Sequence, residues 1–238
     1  MAIDELAAGF AVIVDNLDYL LWGNYPDEAL GGIALTLLMS LAAIVVSTII
    51  GIITGIGLTI LTGWKRHLLV ITLGFLRAIP ILMLIFWTYF LLPVLFKVDI
   101  PATFTVIMAL ALVGGAYIAN AVYAGMIAIS QEQWQAAYSL GFKRSQIISY
   151  IILPQVLKMM MPSIVNQWVS LIKDSSLAYI VSVAEFTFLA TQINNSTMIY
   201  PTEIFLFVLM IYVIICWSLD YMVNRLNKSK AIKIRQLI

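Results

Sequence analysis

Residues 131–155 read QEQWQAAYSLGFKRSQIISYIILPQ, a polar stretch of helix-forming composition between two long apolar segments. Residues 132–140 favour a helix, and Gly141 is expected to end it as a C-cap. Ser145 can cap a second helix, which Pro154 is expected to end. The stretch therefore predicts two short helices joined by a tight turn, which is more organisation than a simple connector between membrane spans needs.

The composition of the chain is that of a membrane protein. Of its 238 residues, 63% are hydrophobic and 11% are charged, and the mean hydropathy is +1.02. A soluble domain averages about 25% charged residues, so a soluble monomer is excluded. The apolar runs are long and uncharged, which is typical of spanning helices and not of the alternating strands of a membrane barrel. The sequence therefore predicts an all-α integral membrane protein.

Long apolar runs, two of them without any charge, predict about five transmembrane helices, because ~20 apolar residues are enough to cross the ~30 Å hydrocarbon core. The spans are expected at about residues 31–62, 68–96, 101–129, 159–195 and 203–222. Polar residues at positions 173–176 interrupt the fourth run. A short helix is therefore expected before this interruption, and the span proper is expected from about Leu177.

Two shorter patterns add detail near the first span. Residues 3–25 repeat apolar side chains every three or four positions and predict a helix on the outer leaflet, ended by Pro26. Ser47, Gly51 and Gly55 lie four residues apart in the first span. Small residues at this spacing predict a helix face that packs closely against a neighbour.

Charge is distributed unevenly along the chain, although its net charge is only +1. Residues 1–64 contain six acidic residues and no Lys or Arg, whereas residues 225–238 contain five basic residues and no acidic one. The positive-inside rule therefore places the N-terminus outside and the C-terminus in the cytoplasm, as five spans also require. We expect an outer segment of residues 1–30, a transmembrane domain of residues 31–225 and a basic cytoplasmic tail of residues 226–238. The tail is expected to fix the topology or to contact anionic membrane lipid, and no nucleic acid is expected as a partner.

The polar stretch resembles the cytoplasmic coupling loop of ATP-binding-cassette (ABC) importer permeases, in which E-A-A-x(3)-G is followed by L-P. The residues that carry the resemblance are Ala136, Ala137, Gly141, Leu153 and Pro154. Gln135 stands in place of the Glu of the motif, which keeps the hydrogen-bonding capacity of the side chain but removes its charge. The resemblance implies that residues 130–155, hereafter the coupling loop, contact a separate ATPase through Gln135 and these five residues.

Three further segments are similar to motifs of the polar amino-acid subfamily of these permeases, of the histidine, glutamine and glutamate/aspartate type. They are Arg77-Ala-Ile-Pro80 for R-x-x-P, Lys173-Asp174-Ser175-Ser176-Leu177 for K-D-T/S-S-L, and Val183-Ala-Glu185-Phe186 for V-x-E/D-L/F. Leu153-Pro154-Gln155 also matches the L-P-Q of the subfamily. The sequence around Arg77 resembles the glutamate/aspartate members most.

The resemblance implies the all-α fold of a type I ABC importer permease. It also implies a function, that of the permease subunit of an ATP-driven importer of polar amino acids in the bacterial inner membrane. The subunit would form the translocation pore as a dimer, with a second copy or a sister permease. A soluble solute-binding protein would deliver the amino acid, and a dimer of separate ATPase subunits would hold ATP and Mg²⁺.

The chain itself is expected to hold no cofactor or metal and to catalyse no reaction. It has no G-x-x-x-x-G-K-[ST] loop for ATP phosphates, and no H-E-x-x-H or G-x-S-x-G motif. An ion-gradient-driven secondary amino-acid transporter is the alternative, although such proteins need polar ion ligands near the midplane and usually more spans, often as repeats. A membrane enzyme is a further alternative, against which the missing catalytic motifs argue.

Ionisable side chains inside spans are costly and usually face a cavity or an ion partner, so they predict the substrate pathway or gate. The candidates, with their neighbours, are Arg77, Pro80, Lys173, Asp174, Ser175, Ser176 and Glu185. Arg77 can meet a substrate carboxylate, pair with Glu185, or extend to the inner headgroups. Asp174 or Ser175 can cap the helix after the interruption, or leave its N-terminus free for a carboxylate. Glu185 can contact an α-amino group or pair with Arg77 or Lys173.

Asn120-Ala-Val-Tyr123-Ala-Gly125 stands where relatives often carry E-x-x-R-A-G, so both charges of that motif are absent. If the Glu contacts a cationic substrate in relatives, its loss argues against Lys, Arg or His as cargo and favours a neutral or acidic amino acid. Alternatively, this chain is the non-binding half of a heterodimer. Asn120 and Tyr123 therefore join the predicted pathway.

Overall fold

In a bilayer each backbone polar group needs a partner within the protein, which favours helices wherever the chain is apolar. The computed structural model describes residues 2–97 and 99–235, and this part of the chain is helical almost throughout. The α-helices are α1 Ala2–Asp15, α2 Leu17–Trp22, α3 Gly32–Ile60, α4 Gly63–Ala78, α5 Ile81–Phe96, α6 Ala102–Ala128, α7 Gln131–Ser139, α8 Arg144–Gln146, α9 Leu153–Asp174, α10 Phe186–Thr197 and α11 Pro201–Arg235. A π-helix, Ile147–Ile152, joins α8 to α9, and a 3₁₀ helix, Ser175–Val181, follows α9.

Four segments of the described chain are long and apolar enough to cross a membrane, and a bent pair of helices can supply a fifth span. The four segments are Gly32–Ile60, Ala102–Ala128, Arg144–Val181 and Pro201–Val223, and the pair is α4 with α5. The first and third predicted spans agree with α3 and α6 to within about two residues at each end. The prediction of about five spans in an all-α chain is therefore confirmed.

The second predicted span is wrong as a single helix. The segment is divided at Ile79 and Pro80 into α4 and α5, and the chain bends by 103° between the two helices. Proline disfavours helical backbone in the residue before it, and Ile79 accordingly has a ψ of 134°. The basic segment 63–67, which lies between the first two predicted spans, is the beginning of α4.

The fourth predicted span also differs, because the helix does not break at residues 173–176. Helical structure continues from Arg144 to Val181 and ends at Ser182, whose φ is 58°. Pro154 does not end a helix either. A proline ring clashes with the carbonyl of residue i−4 in a regular α-helix, and the wider π turn directly before Pro154 is the local departure that accommodates it.

The N-terminal helical region ends earlier than predicted, whereas the C-terminal one extends further. The outer segment forms α1 and α2, and Gly23, with a φ of 69°, follows the last turn of α2 before Pro26 is reached. α11 extends the fifth span through residues 226–235 of the predicted tail, whereas residues 236–238 lie outside the described part of the chain. The connection between the fourth and fifth predicted spans is confined to residues 198–200, because α10 continues to Thr197.

The described residues cluster into two compact units, each built from separated parts of the chain. The first comprises Met1–Ala42, Ile85–Ile107 and Val169–Ile238, and the second comprises Ala43–Leu84 and Met108–Trp168. In the first unit, α1, α2, α10 and α11 enclose a core that includes Leu20 and Phe186. In the second unit, α6, α7, the π-helix and α9 enclose a core that includes Val122 and Ala137.

Small residues on α3 allow a close approach to α6 within the second unit. A Cβ added at Gly51 would lie 2.5 Å from the Cβ of Ile118, and one added at Gly55 would lie 2.7 Å from the Cβ of Val122. Ser47, one turn earlier, is fully buried. The close-packing face predicted from the spacing of these residues is therefore confirmed.

The substitution Gly51→Ala is expected to lower the thermal unfolding midpoint of the purified protein. The added methyl group would overlap Ile118, and overpacking of this kind costs about 1–3 kcal/mol. Gly74→Ala is the matched control, because Gly74 also lies within a helix but has no atom within 4 Å of an added Cβ. Alanine there is expected to be neutral or slightly stabilising. Equal midpoints for the two variants in detergent would contradict the close contact.

Candidate functional site

The coupling loop turns at Gly141, as predicted. α7 ends at Ser139, the Gly141 amide donates to the carbonyl oxygen of Tyr138 at 2.9 Å, and the Phe142 amide donates to that of Ala137 at 3.3 Å. These two bonds form a Schellman motif, which places its glycine in the left-handed region, and the φ of Gly141 is 83°. No atom lies within 4 Å of a Cβ built on Gly141, so the turn presents bare backbone at its surface.

The second helix of the loop starts two residues earlier than predicted. Lys143, and not Ser145, is the N-cap of α8, and its amide donates to the side-chain oxygen of Gln146 at 2.8 Å. Gln146 occupies the N3 position, where a Gln or Glu side chain commonly returns to the cap residue. The predicted helix–turn–helix is therefore present, with this shift in its cap.

The coupling loop exposes large apolar side chains that the motif match did not identify. Tyr138, Leu140 and Tyr150 are 48%, 77% and 73% exposed. Gln135 and Ala136 are exposed beside them. Exposed apolar groups of this size, gathered on a polar loop, are typical of a surface that contacts a partner.

Ala137 corrects one expectation for the loop. It is 3% exposed and belongs to the core of the second unit, because it lies on the side of α7 that packs against the π-helix. Leu153 is half-buried and Pro154 is exposed. Of the two alanines in the motif, Ala136 therefore faces outward and Ala137 supports the loop from within.

Two arginines hold the C-terminal end of α3. Nη2 of Arg144, in the coupling loop, donates to the carbonyl oxygen of Thr59 at 3.2 Å, and Nε of Arg66, in α4, donates to that of Leu58 at 3.3 Å. The last four carbonyls of an α-helix have no partner within the helix, and positive charge is favourable near them. The coupling loop and α4 are therefore attached to adjacent carbonyls of one membrane helix.

A cavity of about 230 Å³ lies within the second unit, where α3, α4 and α6 meet. Its polar lining residues are Arg66, Arg77, Asn120 and Tyr123, and its apolar lining residues are Leu58, Val70, Leu73 and Ala116. Three residues of the predicted pathway, Arg77, Asn120 and Tyr123, are thus brought together. The Tyr117 hydroxyl, on α6, donates to the backbone oxygen of Arg77 at 3.4 Å.

Arg66 is the lining residue that the sequence interpretation missed, because the positive-inside rule treats it only as a loop charge. Its Nη2 donates to the Tyr123 hydroxyl at 2.9 Å, and its guanidinium carbon lies 5.8 Å from the centre of the Tyr123 ring. A signal for this role was present in the sequence. Arg66, Val70, Leu73 and Arg77 follow one another at intervals of four, three and four, which places them on one face of a helix.

Glu185 has a different environment from the one predicted. It is the N-cap of α10, fully buried, and its carboxylate accepts from the amides of Thr187 at 2.9 Å and Phe188 at 2.8 Å. The Tyr212 hydroxyl donates to the same carboxylate at 3.2 Å, and the Thr36 hydroxyl lies 3.4 Å from it. All four partners are neutral groups of the first unit, in place of the predicted arginine or lysine.

The segment from Lys173 to Ser176 is a transition between helix types and not a helix start. Asp174 precedes the 3₁₀ helix but makes no side-chain capping bond, so the predicted cap at Asp174 or Ser175 is wrong. Ser175 is fully buried and donates to the backbone oxygen of Ile172 at 2.7 Å. Ser176 donates to the backbone oxygen of Lys173 at 2.7 Å. The capping role belongs to Glu185, ten residues further along the chain.

Comparison with known proteins places the chain in a family. Residues 47–232 match the family described as binding-protein-dependent transport system inner membrane component. The chain is 30% identical to the probable glutamine ABC transporter permease protein GlnP of Bacillus subtilis (strain 168), over 86% of this chain and 96% of that protein. It is 31% identical to the glutamine transport system permease protein GlnP of Escherichia coli (strain K12), over 84% and 92%. It is 28% identical to the L-cystine transport system permease protein TcyB of Bacillus subtilis (strain 168), over 92% and 91%.

Solved structures show the same fold. The structure described as an amino acid ABC transporter with histidines matches with a TM-score of 0.74 at 23% identity, over 83% of this chain and 92% of that one. An inward-facing form of the MetNI methionine ABC transporter matches with a TM-score of 0.71 at 18% identity, over 82% and 92%. These two matches confirm the type I importer permease fold. The family match and the relatives named as ABC permeases show that the alternative of an ion-gradient-driven secondary transporter is wrong. The chain belongs to the family of inner-membrane permease components of binding-protein-dependent ABC transport systems.

Proposed function

We propose that this chain forms the pore of an ATP-driven importer of neutral or acidic polar amino acids. The observation that carries the proposal is the coupling loop, an exposed helix–turn–helix with bare backbone at Gly141 and a direct bond from Arg144 to the end of α3. A partner that moves this loop would move the end of a membrane helix. The cargo class is supported by the relatives named for glutamine and L-cystine, and by the absence of a carboxylate among the described residues that line the cavity.

The energy is proposed to come from two ATPase subunits, separate polypeptides that hold ATP and Mg²⁺. One ATPase docks on the coupling loop of each of two permeases, this chain and either a second copy or a sister chain. Closure of the ATPases around ATP draws the two loops together and shifts the permeases towards an outward-open state. Because a loaded solute-binding protein binds that state preferentially, delivery of the amino acid and ATP use are linked by a shift in population.

The proposed pathway includes Arg77, Asn120 and Tyr123 in the second unit. Pro80, at the bend between α4 and α5, and residues 173–176, where α9 passes into the 3₁₀ helix, are proposed as gate elements. Glu185 is proposed to act as a structural cap and not as a ligand for the amino group. The relatives are named for glutamine and L-cystine, so they do not support the resemblance to glutamate/aspartate permeases. The proposed cargo class therefore includes both amino acids with amide side chains and amino acids with acidic side chains.

We further propose the topology that the charge distribution predicts, with the N-terminus outside and the C-terminus in the cytoplasm. Residues 1–30 then form an outer segment that lies against the membrane, and residues 31–225 form the permease domain. The coupling loop faces the cytoplasm, and the basic residues of 226–238 contact anionic lipid of the inner leaflet.

ATP-driven uptake is the direct test of the proposed function. In proteoliposomes that contain the purified transporter, uptake of radiolabelled L-glutamine is expected to require both the solute-binding protein and ATP on the ATPase side. It is expected to persist when an ionophore dissipates the ion gradients, because the energy comes from hydrolysis. Uptake that continues without ATP and collapses with the ion gradient would contradict the proposal.

Gly141→Asp is expected to abolish ATP-driven uptake while leaving membrane insertion intact, because it places a charge on bare backbone at the docking surface. Gly63→Asp is the matched control, since Gly63 also has a positive φ, of 61°, and open space around an added Cβ. The two variants therefore share the backbone strain, and Gly63→Asp is expected to retain uptake. Co-purification of the ATPase, measured in parallel, should fall only for Gly141→Asp. Normal uptake by Gly141→Asp would refute the role of the loop.

The topology is tested by labelling single cysteines in a Cys216→Ala background with a membrane-impermeant maleimide. Asp27→Cys is expected to react in intact cells, and Lys65→Cys only after permeabilisation, because both positions are exposed but lie on opposite sides of the membrane. The reverse pattern would overturn the proposed orientation.

A further inference from the structure

The cavity of the second unit has a lining that is cationic on one side and polar but neutral on the other. Arg66 and Arg77 lie on one face of α4, about 16 Å apart along its axis at 1.5 Å per residue. Asn120 and Tyr123 face the same space from α6. Among the described residues that line it there are two guanidinium groups and no carboxylate.

The two arginines differ in how they are held. Arg66 is fixed by bonds to the Leu58 carbonyl and the Tyr123 hydroxyl. For the Arg77 side chain the structure records a single hydrogen bond within the described chain, from Nε to the Leu73 carbonyl of its own helix at 3.4 Å. A guanidinium has five N–H donors, so most donors of Arg77 have no partner in the described chain, and because the residue is exposed they are open to a ligand at the cavity.

A positive charge in a membrane-spanning protein is costly unless an anion or a set of acceptors balances it. Arg66 has such acceptors, and Arg77 has one weak contact. Arginine binds carboxylates through two parallel N–H···O bonds, which makes it well suited to an acid group. The cavity therefore has the chemistry of an anion site whose anion comes from outside the chain.

We propose that this cavity binds the carboxylate of an amino acid of neutral or negative net charge, with Arg77 as its ligand. Arg66, held against Tyr123, is a fixed positive charge that rejects cationic amino acids, and the Asn120 amide contacts the neutral or acidic side chain. The inference rests on the proposed function and names the residues that bind this cargo and select it. The cavity volume of about 230 Å³ is below the roughly 300–1,000 Å³ of sites for drug-sized ligands, which suits a single amino acid.

The experiment measures equilibrium binding to the purified transporter, with its ATPase and permease partners present and the solute-binding protein absent. The probes are radiolabelled L-glutamate and L-glutamine, with L-lysine as competitor. The wild type is expected to bind at least one of the two probes, and L-lysine is not expected to displace it. Arg77→Gln is expected to weaken that binding about 10- to 100-fold, because it removes hydrogen bonds to a charged group.

Two further variants sharpen the test. Arg77→Lys keeps the charge but not the two-pronged geometry, and is expected to lie between wild type and Arg77→Gln. Lys158→Gln removes a positive charge from an exposed position outside the cavity and is expected to bind as the wild type does. Asn120→Glu adds a carboxylate to the lining and is expected to allow L-lysine to compete with the bound probe. This variant tests the charge selection of the cavity even if Arg77→Gln does not assemble.

The proposal is overturned if neither probe binds, if L-lysine competes equally in the wild type, or if Arg77→Gln binds with unchanged affinity. Failure of the proposed function has a different signature. In that case no ATPase would co-purify with the wild-type chain, whatever the cavity binds.

Discussion

No water reaches the hydrocarbon core of a bilayer, so each place where a helix stops inside this chain must supply its own hydrogen-bond partners. One such interruption separates the 3₁₀ helix from α10, and the buried Glu185 carboxylate provides for it by accepting two amides of the first turn of α10. The Gly32 amide donates to the Ala184 carbonyl beside it at 2.9 Å. The same carboxylate also accepts from the hydroxyls of Thr36 in α3 and Tyr212 in α11. One side chain therefore caps the start of α10 and links α10 to two other helices.

In the second unit, cations bond to a helix end. The last carbonyls of α3 have no partner within the helix, and the guanidinium groups of Arg66 and Arg144 donate to two of them. One of these arginines belongs to the coupling loop and the other lines the cavity, so the same helix end is in contact with both. The close contact of Gly51 and Gly55 with α6 keeps α3 firm along the rest of its length within the unit. A displacement of the coupling loop would therefore be transmitted to the cavity wall directly through the end of α3.

Much of the fold could be predicted from the sequence, because hydropathy and glycine geometry are local properties. The charge-free runs located α3 and α6, and Gly141 located the turn of the coupling loop. The role of Glu185 could not be predicted, since its partners Thr36 and Tyr212 lie 149 and 27 residues away in the chain. Pro154 misled for a related reason: a proline usually ends a helix, but a π turn before it allows the helix to continue. In the candidate site, Arg77, Asn120 and Tyr123 were found by motif comparison, whereas Arg66 was missed because the span was predicted to begin at residue 68, although its helical spacing with Arg77 was present in the sequence.

The π-helix Ile147–Ile152 sets the rotational phase between the coupling loop and the membrane part of the same continuous helix. Successive residues of an α-helix are turned by about 100°, and a π turn has the effect of one residue inserted into that series. If one residue were lost here and the turn became regular, everything before it would rotate relative to everything after it by roughly that angle. Buried Ile147 and Ile148 would leave the core, and Tyr150 would leave its exposed position. The length of this segment is therefore constrained more strictly than its composition, and single-residue insertions and deletions should be tolerated far less here than substitutions.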